Sequence, residues 1–198
     1  DTGAWEGGKG GDSGGDCAGG EIVSGILTHG GTILGTSNRV TPFYVPRSHG
    51  RRVIFKDESD RAIRHYKEWG LDGLAVVGGD GTLTIARKLS KRGIPVVGIP
   101  KTIDNDISGT DFSFGFHTAV NIATDALDRL HTTAASHHRV MILEVMGRNA
   151  GWIALHAGAA GGADIILIPE IPYDLKIVCQ KVTSRLKQGK RFSLVVVA

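Results

Sequence analysis

Residues 73–106 read GLAVVGGDGTLTIARKLSKRGIPVVGIPKTIDND. Two apolar runs, Leu74 to Val77 and Val96 to Gly98, each lead into a turn rich in glycine or aspartate, and a helical stretch over residues 83–91 separates them. Short runs that are apolar on both faces suit strands buried in a parallel sheet, and parallel neighbours need a helical crossover. The stretch is therefore a β-α-β unit, and the alternation continues on both sides of it. Before it, a helix is expected over 60–69, with Ile63, Tyr66 and Trp69 at helical spacing and Gly70 to end it. After it come a long amphipathic helix over 116–130, a strand over 140–145, a helix following Gly151 and a strand over 165–168. A helix over 175–186, with Asp174 as its cap and Gly189 as its stop, and a closing strand over 194–197 complete the series. The fold class that follows is α/β, a parallel sheet with helices on both faces. Ligands of such sheets bind at the carboxyl ends of the strands, where this sequence keeps its Gly and Asp clusters.

The first twenty residues hold nine glycines and almost no branched apolar side chains, and read as loop or disorder. The folded composition begins at Glu21 and runs to Ala198. Lys plus Arg at 23 against Asp plus Glu at 20 leaves a net charge of +3, which neither demands nor excludes a nucleic-acid partner and fits anionic small molecules equally well. A basic stripe with interleaved aromatics is absent, so no nucleic-acid partner is expected. No apolar run is long enough to span a membrane, no basic-then-apolar leader opens the chain, and a cytoplasmic setting is expected. Cys17 and Cys179 are far apart and lack metal-ligand spacing, which argues against a disulfide scaffold or a zinc site. His137 and His138 have no carboxylate or third histidine at ligand spacing and read as structural.

Three turns carry chemistry. Gly78, Gly79, Asp80, Gly81 and Thr82 follow a strand and open a helix, so their backbone N–H groups suit a phosphate and Asp80 suits Mg²⁺; a plain strand-to-helix turn would use the same residue types. In 100–106, Lys101 and Thr102 precede Asp104 and Asp106. Like charges that close raise each other's pKa, which is useful if one carboxylate takes a proton from a hydroxyl and the other holds a metal. A solvated acidic turn is the other reading. In 146–152, Gly147 exposes backbone and Arg148 offers a fork to phosphate, whereas Arg139 opens the same strand and stands at its opposite end, suited to a neighbouring subunit's site or to plain surface. Glu170, after Pro169, is a site residue or polar surface.

GTILGTS at 31–37, GGDGT at 78–82, PKTIDND at 100–106, SHHR at 136–139 and VMGRNAGW at 145–152 together resemble 6-phosphofructokinase of the ATP-dependent branch, in order and at similar spacing. The resemblance covers roughly residues 23–198 and implies a Rossmann-like, phosphofructokinase-type fold, incomplete here. It implies transfer of the γ-phosphoryl of ATP to the 1-hydroxyl of fructose 6-phosphate, with Mg²⁺, in a homo-oligomer, dimer or tetramer. On matching positions, Asp104 becomes the general base, Thr102 a contact to the moving phosphoryl and Arg148 its charge stabiliser. Asp80 and Asp106 serve Mg²⁺; Met146, Gly147 and, across a subunit contact, Arg139 join Thr102, Asp104, Asp106 and Arg148 around the sugar phosphate, and Glu170, where it is a site residue, falls on the same side. Gly79, Asp80, Gly81, Thr82, Lys101 and Arg39 fall to the nucleotide. Gly81 leaves room for an α-phosphate, as ATP users require, while Lys101 is typical of pyrophosphate users, so pyrophosphate is the alternative donor. The family also begins with a GGDCPG loop, for which 14–19 (GGDCAG) is a degenerate counterpart, and continues with further substrate residues past the position of Ala198. A truncated chain is expected, for which a phosphosugar-binding fragment without activity is a further alternative. A single cation shared by Asp80, Asp104 and Asp106, directly or through water, is the geometric expectation of the kinase reading.

Overall fold

The structure, a computed structural model, describes residues 24–32, 37, 41–50 and 52–198. The chain divides into two compact units, Asp1–Asp72 and Gly73–Ala198. Arg39, the GGDCAG stretch, Cys17 and part of the GTILGTS segment lie outside the described residues.

In the first unit the strands β1 (Val45–His49) and β2 (Arg52–Lys56) pair antiparallel, with Val45 opposite Lys56 and His49 opposite Arg52. The sequence reading missed this hairpin, because no strong turn signature separates its strands and the strands mix basic and apolar residues. Tyr44 stacks on Phe55 at 4.0 Å between ring centroids, and Arg47 forks onto Glu58 through two 2.6 Å hydrogen bonds. Asp57 accepts from the backbone of Ser59 at 2.8 Å and so starts α1 (Ser59–Glu68).

The second unit carries the β-α-β pattern. Strands β3 (Leu74–Gly78), β4 (Val96–Thr102) and β5 (Phe114–Gly115) form one parallel sheet in that order, with Leu74 opposite Val96 and Gly78 opposite Pro100. Helix α2 (Asp80–Ser90) crosses between β3 and β4 and begins three residues earlier than the apolar periodicity suggests. Its Ala86 and Leu89 are buried with Ile94, whereas Val77 and Val97, on the other face of the strands, are more than half exposed. Helix α3 (Phe116–His137) is seven residues longer than its apolar stripe indicates. It leads to a second parallel sheet of β6 (Val140–Glu144), β7 (Ile165–Leu167) and β8 (Ser193–Val197), in the order β6-β8-β7. Helices α4 (Trp152–Ala160) and α5 (Leu175–Lys187) make its crossovers. The one sheet expected from the sequence is thus two of three strands each, both parallel and flanked by helices, since alternation fixes the crossovers and not which strands become neighbours.

The core lies over the second sheet. Leu127, Ala134 and Ala154 from α3 and α4 pack on Leu194 and Val196 of the central strand, each large side chain contributing about 1.5–3 kcal/mol through burial. Phe116, Ala123, Ile153 and Ala157 form a second cluster, and Val145 touches both. Across the sheet α5 buries no residue and leaves a cavity of about 540 Å³ bounded by Ile142, Val178, Val182 and Val195. Its ends match the expectation: Asp174 accepts from Lys176 N at 2.8 Å, and Gly189 follows at φ 81. Arg185 ties it to the sheet through Asp164 at 2.6 Å and Ser193 at 3.0 Å.

Candidate active site

Register brings the first two turns together. Because Gly78 lies opposite Pro100, β3 ends beside the last residues of β4, Lys101 and Thr102. A methyl group on Gly79 would stand 3.4 Å from Thr102 Cβ. The GGDGT turn and the TIDND loop are neighbours at the carboxyl end of one sheet, as the topology demands.

The first turn is open. Gly79 supplies no side-chain cap to α2, so the first N–H groups of an eleven-residue helix are left for a ligand, and Asp80 lies in that first turn. A methyl on Gly81 would meet no atom within 4 Å. Thr82 packs its side chain over Gly78, close enough that a Cβ there would fall 2.6 Å from it.

The fold alters the chemistry of Asp104. Burial pushes its pKa above the ordinary aspartate range, the Asp106 charge pushes the same way, and a hydrogen bond with Thr102 opposes both. Thr102 Oγ1 also accepts from Asp104 N at 3.2 Å. Asp106 is exposed, as are Asp80 and Lys101. The expected three-carboxylate cation site is corrected here: among the described residues no three carboxylates, histidines or cysteines gather into one metal-holding group. The chain bends between Asp104 and Asp106 through Asn105, whose side chain is engaged by Ser113 and Asp111, and α2 carries Asp80 on a separate element. What remains fits the hard, loosely held Mg²⁺ of nucleotide sites, which takes one or two carboxylates and completes its shell with phosphate oxygens and water.

The third turn is closed upon itself. Gly147 cannot carry a side chain, since a Cβ would sit 2.6 Å from the Ala150 carbonyl and 3.1 Å from Ala198 Cβ. Ala150 N donates to Gly147 O at 2.9 Å, and Arg148 between them adopts φ 51, a left-handed conformation that costs a non-glycine residue about 1 kcal/mol or more. Glu170 Oε1 accepts from Gly151 N at 2.7 Å and so holds the start of α4. The arginine is exposed, on a turn that its neighbours fix. Arg139 precedes β6 and Arg148 follows it, which puts the two at opposite ends of one strand.

A cavity of about 510 Å³ is bounded by Ile103 of the TIDND loop, by Val145 and Met146 before Arg148, and by Ala119, Ile122 and Ala123 of α3. The second and third turns therefore border one space. Its walls are almost wholly apolar and include none of Thr102, Asp104 and Arg148, so it marks their proximity and is not itself a sugar-phosphate pocket. The sequence reading missed three features: the left-handed Arg148, the Glu170 anchor and the Asn105–Ser113 closure. Only Asn105, an Asx-turn residue between two aspartates, carried a local signal.

The family model described as Phosphofructokinase matches residues 6–198. The chain is 58% identical over 179 residues to the ATP-dependent 6-phosphofructokinase 2 of Clostridium perfringens, covering 90% of this chain and 49% of that one. It is 57% identical over 176 residues to the ATP-dependent 6-phosphofructokinase of Chloroflexus aurantiacus, covering 89% and 49%. The chain thus spans about half the length of the curated relatives it matches. Among solved structures, the Pichia pastoris phosphofructokinase in the T-state superposes with a TM-score of 0.66 at 30% identity, over 72% of this chain and 18% of that one. The pyrophosphate-dependent phosphofructokinase of Marinobacter aquaeolei gives 0.63 at 28% identity, over 71% and 39%.

Proposed function

This chain belongs to the phosphofructokinase family, and from that premise we propose that the protein transfers the γ-phosphoryl of ATP to the 1-hydroxyl of fructose 6-phosphate. The observation that carries the reading is the pairing of an open, uncapped helix start at Gly79 with a partly buried Asp104 on the adjoining strand end. Phosphate oxygens occupy the N–H groups of 79–82, while Lys101 adds charge to the nucleotide side. Asp104 takes the proton from the sugar's 1-hydroxyl, and the freed oxygen attacks the γ-phosphorus. The bond to the β-phosphate breaks and ADP leaves. Thr102 contacts the moving group, and Arg148 donates to it by its planar fork. Met146, Gly147 and Glu170 border the sugar phosphate. Asp80 and Asp106 would serve Mg²⁺, which would supply charge neutralisation for the transferred group. The free space at Gly81 supports a nucleotide donor, as do the names of the relatives, while Lys101 favours pyrophosphate as the second reading. Arg139, at the far end of β6, is suited to the 6-phosphate in the site of a neighbouring subunit, and a homo-oligomer follows from that role.

The test is Asp104→Ser in the full-length protein, assayed for fructose 1,6-bisphosphate with either donor. Turnover with ATP should fall by about a hundredfold to ten-thousandfold, the range for a lost general base, with the melting temperature preserved. Near-full activity in that variant would falsify the role of Asp104, and turnover with pyrophosphate alone would exchange the donor.

A further inference from the structure

Between Thr102 and Gly115 the chain leaves β4, carries Asp104, Asp106 and Asp111 through residues 103–113, and returns to pair as β5 with Thr102 opposite Gly115. Gly115 has φ 114, and a methyl there would stand 3.1 Å from the Thr102 carbonyl, so the return strand lies as close as a glycine permits. Ser113 closes the loop twice. Its Oγ donates to the Asp104 carbonyl at 2.6 Å, and its N–H donates to Asn105 Oδ1 at 3.1 Å. Asn105 Nδ2 in turn donates to the Asp111 carbonyl at 3.4 Å. Asp104 is therefore held at both ends of its own residue, its N–H by Thr102 Oγ1 and its C=O by Ser113. Fixing both peptide groups fixes the direction of the Cα–Cβ bond, and with it where the carboxylate points. Ser113 is only 4% exposed, so without that hydroxyl the Asp104 carbonyl has little water to take its place.

We infer that Ser113, acting with Asn105, is the positioning residue of the base: it sets the backbone of Asp104 so that the carboxylate meets the sugar hydroxyl, a role that rests on Asp104 being the base. Neither residue needs to touch substrate for this. A backbone displaced by a fraction of an ångström is enough to lengthen the hydroxyl-to-carboxylate approach, and proton transfer is steeply sensitive to that distance.

The experiment compares the unsubstituted full-length protein with Ser113→Ala, Ser113→Thr, Asp104→Ser and the double variant Asp104→Ser/Ser113→Ala, measuring kcat and both KM values with ATP and fructose 6-phosphate. Ser113→Ala should lower kcat by about tenfold to a hundredfold and leave each KM within about twofold, as expected of a misplaced catalytic group. Ser113→Thr keeps the hydroxyl and should recover most of the loss. In the Asp104→Ser background Ser113→Ala should remove nothing further, because the group it positions is gone. A variant that merely folds poorly would lose the same factor in both backgrounds; such additivity, a rise in KM with kcat intact, or unchanged kinetics in Ser113→Ala would overturn the positioning role. The two readings fail separately. An unsubstituted protein without turnover, or an Asp104→Ser variant at full speed, overturns the kinase mechanism and this inference with it, whereas an inactive Asp104→Ser beside a fully active Ser113→Ala overturns the inference alone.

Discussion

After β3 the chain enters α2 through Gly79, which offers no cap, and through Gly81, around which there is free space. After β6 it enters α4 through a turn closed at Gly147 and Ala150, with Arg148 at positive φ and Gly151 tied to Glu170. Both are strand-to-helix turns at the carboxyl end of a parallel sheet, where glycine and a charged residue recur. The first leaves its donors unspent and the second spends them on itself. An open turn suits a ligand that brings its own negative charge, while a closed one suits a side chain that must stand in one place.

The largest expected effect comes from filling the open turn. Gly81→Asp adds a Cβ that meets no atom within 4 Å outside its own turn of helix, so the fold should tolerate it and the melting temperature should hold. A second negative charge near a nucleotide phosphate costs about 2–4 kcal/mol at the effective dielectric of a protein surface, or about thirtyfold to a thousandfold in kcat/KM for ATP. Pyrophosphate, with no α-phosphate to exclude, should be affected much less. Equal losses with both donors would mean that Gly81 does not face the nucleotide.

Next comes the acidic loop beside that turn. Asp106→Asn removes a proposed Mg²⁺ ligand and should lower kcat/KM at least about tenfold. It also removes the charge that raises the pKa of Asp104. A base works only when ionised, so a raised pKa moves the acid limb of the kcat/KM profile of the unsubstituted protein to higher pH. Asp106→Asn should move that limb back to lower pH, though not to the ordinary aspartate position, since burial is the first cause of the shift and stays in place. A limb that stays put in the variant would assign the limb to another group.

How far the sequence carries depends on the range of the interaction. The alternation of apolar runs gave every strand of the second unit except the two-residue β5, and Asp174 and Gly189 bracketed α5 as a capping residue and a left-handed glycine should. The open turn was legible in the same way, because GGDGT is a local pattern whose meaning is set by the strand before it and the helix after it. The division into two sheets was not legible, since neighbours within a sheet are chosen by contacts far apart in sequence. For the same reason Glu170 could be singled out but not placed: its partner, Gly151, lies nineteen residues away. Ser113, nine residues from the carbonyl it holds, carried no signal of its own.

The smallest expected effect tests the closed turn through that long-range contact. Glu170 puts a carboxylate oxygen 2.7 Å from the N–H that opens α4, and a lost acceptor at a helix start costs about 1 kcal/mol, rarely 2. Glu170→Ala should therefore lower stability by that amount in chemical denaturation and loosen the turn that carries Arg148. The loosening should appear as a few-fold rise in KM for fructose 6-phosphate, with KM for ATP unmoved, since the nucleotide is proposed at the open turn. Glu170→Gln retains an oxygen acceptor in the same place and should restore most of both. The two glutamine outcomes separate an anchor from a direct ligand: a carboxylate that touched the sugar phosphate would leave Glu170→Gln fully stable yet as weak in KM as Glu170→Ala. Recovery of stability and KM together in Glu170→Gln is the result that a closed turn requires.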